Sequence, residues 1–201
     1  MRTAVSSCRD LTGETHAAFM APPAADGPGA VKGRKGRGMR LFFFGTLMDP
    51  EVREIVMGRA LPADAIETGV AQGFRRVFVA GRHYPMLLPH ASGWVEGTLV
   101  SGLDAETVHR LQVYEGWEYA LHPIQVRTGS GQTVMAHVFL CPPHIEPDRR
   151  EWRLDQWQLR HKRPFLRKAR ALMERASRGS LPAATGQRPR PALAPRTIGK
   201  K

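Results

Sequence analysis

Glu115 is the residue of this sequence best placed to move a proton. It closes a segment of helical period that opens at Asp104, and Gly116 follows it, so it stands at the C-terminal end of a helix. The macrodipole is negative there and disfavours another anion. Tyr114, Trp117 and Tyr119 surround it with aromatic rings. Both effects raise a carboxyl pKa towards that of a general base working near neutrality. A solvated glutamate ahead of a glycine cap is the plainer reading of the same residues. Glu118 is the weaker candidate and is expected to turn outward.

Two further segments have chemical potential. Phe44-Gly45-Thr46-Leu47 takes a strand into a helix start across a glycine, which permits close approach of a ligand to backbone N–H groups that suit a carboxylate. A simple strand–helix corner would look the same. Tyr84-Pro85-Met86-Leu87-Leu88-Pro89 reads as a short apolar loop stiffened by proline at each end, either a pocket wall or a cover over the core. Other familiar constellations are missing: no GxSxG elbow, no HExxH and no Walker A, since GRKGRG lacks both the spacing and the Ser/Thr. The eight histidines have no metal-ligand spacing; a pair such as His83 and His90 reads as surface.

The elements that must position these residues follow from patterning. Leu41 to Thr46 is a buried strand. Asp49-Pro50-Glu51 opens a helix as N-cap, first-turn proline and dipole-favoured acid, with Val52, Ile55 and Val56 on one face and Gly58 as its stop. Residues 65–80 are extended, and 94–100 alternate as a strand. Asp104 caps the helix that ends at Glu115, with Leu103 and Val108 as its hydrophobic staple. Tyr119 to Arg127 and Thr133 to Leu140 form a hairpin around Thr128-Gly129-Ser130-Gly131. A last helix is predicted from about Asp148, kinked or restarted at Pro164. Its Trp152, Trp157 and Phe165 are expected to pack back as core rather than to recruit a partner. Strands and helices mix without βαβ alternation, which predicts an α+β fold.

Composition narrows the function. The 201 residues are 42% hydrophobic and 24% charged, enough apolar side chain for a core. No apolar run approaches the roughly 20 residues of a membrane-spanning helix. The first ten residues lack a secretory apolar region, so the expected location is cytoplasmic. Two cysteines, Cys8 and Cys141, exclude a disulfide framework and a four-cysteine zinc site. The net charge of +12 sits mostly at the ends: residues 1–38 carry six basic and three acidic side chains, and residues 176–201 six basic and none acidic. The central 18 basic and 15 acidic residues nearly balance. Nucleic-acid binding is therefore expected to be no more than weak tail attraction. Residues 1–38, rich in Pro, Ala and Gly, read as a disordered extension or as an overlong start ahead of Met39. Residues 39–176 read as the folded domain, and 177–201 as a disordered basic tail.

Phe44-Gly45-Thr46-Leu47, Tyr84-Pro85-Met86-Leu87, the Val95-x-Gly97-x-Leu99 strand and Tyr114-Glu115-Gly116-x-x-Tyr119, in this order, resemble the γ-glutamylcyclotransferase-like (AIG2-like) family. The likeness runs from about Met39 to Leu140, and the Trp152/Trp157 segment is similar to the C-terminal part of bacterial members. The resemblance implies a small mixed β-barrel-like sheet with flanking helices and a pocket beside the glycine corner. It implies Glu115 as catalytic acid/base, Phe44, Gly45, Thr46 and Leu47 as substrate-cradling positions, and Tyr84 and Tyr119 as pocket aromatics. The implied reaction cyclises a γ-glutamyl group to 5-oxoproline and releases an amine or amino acid. It needs no metal or organic cofactor, and no protein nucleophile. Many members carry tyrosine where this chain has Phe44, so one hydroxyl is missing here. The alternative reading is a non-catalytic small-molecule binding module on the same fold. The implied partner is a small γ-glutamyl compound, not a membrane, with the chain a monomer or homodimer.

Overall fold

The structure is a computed structural model that describes residues 38–116 and 119–179. Cys8, the predicted N-terminal extension up to residue 37, Trp117, Glu118 and the basic tail from residue 180 lie outside the described residues. The elements run β1 (Met39–Phe43), α1 (Pro50–Met57), β2 (Ile66–Val79), β3 (Pro85–Leu103), α2 (Ala105–Glu115), β4 (Ala120–Thr128), β5 (Thr133–Leu140), β6 (Pro147–Glu151) and α3 (Leu154–Ser177).

Five strands close on themselves. β1 pairs with β3, β3 with β2, β2 with β4 and β4 with β5, all antiparallel, and β5 returns parallel to β1. The result is a closed mixed barrel with three helices, an α+β fold. Its interior is filled from all five strands by Phe42, Leu87, Leu99, Val126, Val138 and their neighbours. Because side chains alternate along a strand, Leu41 and Phe43 face the other way. They join Val52, Val56, Leu111, Trp152, Trp157 and Leu166 in a second core under the helices. β6 continues the sheet on the far half of β2. Among the described residues no helix is long and apolar enough to cross a membrane.

Two expectations are corrected. Residues 85–89 are not a loop but the first part of β3: Met86 pairs with Val77 and Leu87 with Arg76. Both prolines occupy tolerated positions, Pro85 as the first residue of the strand and Pro89 opposite the register shift between Gln72 and Phe74. The segment from Asp148 is also not helical at first. Pro147–Glu151 is an edge strand, because pairing with β2 overrides the helix preference of its Arg and Glu residues. The helix starts at Leu154 and continues through Pro164. Pro164 and Arg160, the residue whose carbonyl loses its helical partner, are both exposed.

Three helix terminators set the site. The Asp49 carboxylate, fully buried, accepts from the N–H groups of Glu51 (3.0 Å) and Val52 (3.2 Å) and starts α1. Asp104 accepts from the Thr107 N–H at 2.7 Å and starts α2. Gly116, with φ of 85°, turns the chain sharply off α2 directly after Glu115.

Candidate active site

β1 runs out at Phe43, and Gly45 delivers the chain into a single 3₁₀ turn, Thr46–Met48. Glycine is needed for space: a Cβ at Gly45 would stand 2.9 Å from Cγ of Pro85, inside contact distance. Every carbonyl of this corner is engaged. Arg76 Nη1 donates to Phe44 O at 2.9 Å, and Arg53 Nη1 donates to Leu47 O (2.9 Å) and Met48 O (3.0 Å). The Met48 and Asp49 N–H groups donate to Gly45 O and Thr46 O. The N–H groups of Gly45, Thr46 and Leu47 have no acceptor among the described residues. The corner therefore presents donors and no free acceptor, the polarity an anion requires.

A cavity of about 260 Å³ opens beside this corner. All seven residues predicted for the site line it: Phe44, Gly45, Thr46, Leu47, Tyr84, Glu115 and Tyr119. Tyr114, Pro85, Phe139 and a face of α3 complete the wall. Burial among these groups pushes the Glu115 carboxyl up to about 8, and no hydrogen bond from the described residues offsets it. Glu115 nevertheless keeps some contact with solvent, so a proton can enter and leave.

A 2.7 Å hydrogen bond between the Thr46 and Tyr114 hydroxyls joins the two halves of the site. Burial first, and then the neighbouring Glu115, push the Tyr114 phenol well above its ordinary range. Burial and a hydrogen bond with Cys141 do the same for Tyr119. Both phenols therefore stay neutral at physiological pH. His83, considered above with His90, instead stacks on the His161 ring at 4.1 Å.

Two contributions were missed in the sequence. Arg76 lies mid-strand in β2, and nothing in its residue type or spacing singled it out. Its guanidinium packs 5.3 Å from the Trp152 ring and donates to Phe44 O, Glu96 O and Trp152 O. Trp152 in turn donates to His83 O, beside Tyr84, at 3.1 Å. The second is α3, which contributes Phe165, Lys168, Ala169 and Leu172 to the cavity. Their i, i+3, i+4, i+7 spacing was visible and marks one helix face.

The closed mixed barrel therefore brings Glu115 and the glycine corner to the wall of one aromatic cavity. Residues 41–159 match the family described as "Gamma-glutamyl cyclotransferase, AIG2-like", and the chain belongs to that family. It is 26% identical to AIG2-like protein A of Arabidopsis thaliana over 136 residues, covering 67% of this chain and 81% of that protein. The fold is shared with the solution structures of two Arabidopsis thaliana proteins. One has a TM-score of 0.52 at 24% identity, covering 70% of this chain and 94% of the other. The second has a TM-score of 0.51 at 18% identity, covering 79% and 100%.

Proposed function

We propose that the protein is a γ-glutamylcyclotransferase-type enzyme that converts a γ-glutamyl compound to 5-oxoproline and a free amine or amino acid. The observation that carries this reading is the meeting of Glu115, its carboxyl raised to about 8, with the amide corner at Gly45–Leu47 in one small cavity. Membership of the family supports the same reaction.

In this mechanism the substrate supplies its own nucleophile. The α-amine attacks the γ-carbonyl carbon, a new C–N bond closes the five-membered lactam, and the original amide C–N bond breaks. The ionised Glu115 takes one proton from the α-ammonium to free the nucleophile and returns it to the departing nitrogen; the second proton shed as that nucleophile becomes a lactam N–H is taken up by the released amine, which leaves as an ammonium. The Gly45, Thr46 and Leu47 amides hold either the substrate α-carboxylate or the oxyanion that develops on the γ-carbonyl. Phe44, Tyr84 and Tyr119 shape the wall that keeps the substrate bent, with amine and carbonyl in contact. Such oriented intramolecular attack carries effective molarities of about 10⁵–10⁸ M, and a positioned base adds roughly 10²–10⁴-fold. The Glu115 carboxyl near 8 matches this task, because a base of that strength is partly ionised at neutral pH and still a competent proton donor afterwards.

Incubation of the protein with a panel of γ-glutamyl amino acids, peptides and amines, followed by mass spectrometry, tests the reading. Release of 5-oxoproline from at least one class supports it. Saturable binding with no 5-oxoproline from any of them leaves a non-catalytic binding module on this fold.

A further inference from the structure

The cavity-facing stripe of α3 contains Phe165, Lys168, Ala169 and Leu172. Three of these are apolar, as a wall against the helix core requires, and the fourth is charged. Other cations of α3 are engaged with α1: Lys162 Nζ lies 2.8 Å from Asp49 and 3.4 Å from Glu51, and Arg170 lies 2.9 Å from Glu51. Lys168 has no such ion pair among the described residues. It is exposed while lining the cavity, so its long side chain can carry the charge to the cavity's solvent-facing side. Among the described lining residues it is the single cation, and Glu115 the single carboxylate. The amide corner accommodates one anionic group of a ligand; Lys168 offers a place for a second.

We propose that Lys168 is a specificity residue that selects γ-glutamyl compounds bearing a carboxylate on the departing side, amino acids or peptides rather than simple alkylamines. This rests on the γ-glutamyl reading for the identity of the half that is cyclised. A flexible lysine suits the task, because its point charge reaches carboxylates at slightly different depths without demanding a bidentate fit. A lysine that only covers apolar surface with its stem would be indifferent to ligand charge.

γ-Glutamylalanine and γ-glutamylethylamine differ by one carboxylate and test this directly. Turnover of both is measured with the full chain and with Lys168→Met and Lys168→Arg, and binding of both is measured by calorimetry in the Glu115→Gln background. The expected result is a preference of about tenfold for γ-glutamylalanine, expressed in KM rather than kcat, the size of one charge-assisted contact at a half-open site. Lys168→Met brings the ratio close to one and Lys168→Arg retains most of it. A ratio unchanged by Lys168→Met, or no preference in the unmodified protein, overturns the inference. Charge-selective binding without any turnover upholds Lys168 and overturns the cyclotransferase reading. Turnover without selectivity does the reverse, and neither binding nor turnover overturns both.

Discussion

The hydroxyl of Tyr114 meets that of Thr46 at 2.7 Å, a contact between residues 68 apart in sequence. It fixes the end of α2, and with it Glu115, against the turn whose amides face the cavity. Removing it with Tyr114→Phe leaves the packing of the ring in place. The expected outcome is a stability loss of about 1 kcal/mol with a larger proportional fall in kcat/KM, because Glu115 loses its reference to the corner. Denaturant unfolding and steady-state kinetics on the same preparation check this.

With Glu115 as the proposed base, stability and activity are expected to depend on pH in opposite directions. Its carboxyl ionises near 4.5 in the unfolded chain and about 8 in the fold. The unfolded chain therefore releases the proton first, and stability contributed by this group is full below about 4.5 and lost as pH rises to about 8. Glu115→Gln is expected to flatten that slope and to be the more stable protein at alkaline pH, as read by urea titrations across the range. Over the same interval kcat/KM should rise to a plateau above about 8 as the base ionises.

The residues that line the cavity were more legible in the sequence than the scaffold around them. Glu115 before Gly116, and Gly45 between a strand and a cap at Asp49, are local signals, and local signals survive in one dimension. Asp104 as the α2 cap and the hairpin around Thr128–Gly131 were readable for the same reason. Residues 85–89 and 147–151 were misassigned because both are strands by virtue of β2, their distant partner, and not by their own periodicity. Closure of the barrel through the parallel β1–β5 pair is likewise a long-range event. Arg76 gave no signal because its partners are largely backbone carbonyls, which leave no trace in residue types.

Arg76 is expected to matter through positioning. Arg76→Met removes the donor to Phe44 O, Glu96 O and Trp152 O while roughly keeping the stem. Those carbonyls are then short of partners, and a loss of about 2–4 kcal/mol is expected. Arg76→Lys keeps the charge but not the fork, and should recover only part of it. Chemical denaturation of the three proteins provides the comparison.

Asp49 locks α3 over the cavity. Burial alone would raise its carboxyl, but hydrogen bonds from Lys162, Gln158 and the Val52 N–H outweigh that and hold it below the ordinary value. Its contribution is therefore present above about pH 4 and lost as pH falls through its depressed pKa. Asp49→Ala removes the α1 cap and leaves Lys162 with only its longer pair to Glu51, and should cost about 2–4 kcal/mol. Circular dichroism melts at neutral and acid pH should show the difference shrinking on acidification.

In the proposed reaction the Glu115 carboxyl carries the proton during lactam closure. The direct measurement is 5-oxoproline formation by Glu115→Gln under conditions where the unmodified protein turns over, with ligand binding and unfolding recorded alongside. The expected result is a folded protein that still binds its γ-glutamyl ligand and forms 5-oxoproline at least about 10²-fold more slowly. A folded Glu115→Gln protein that retains most of its rate would contradict it.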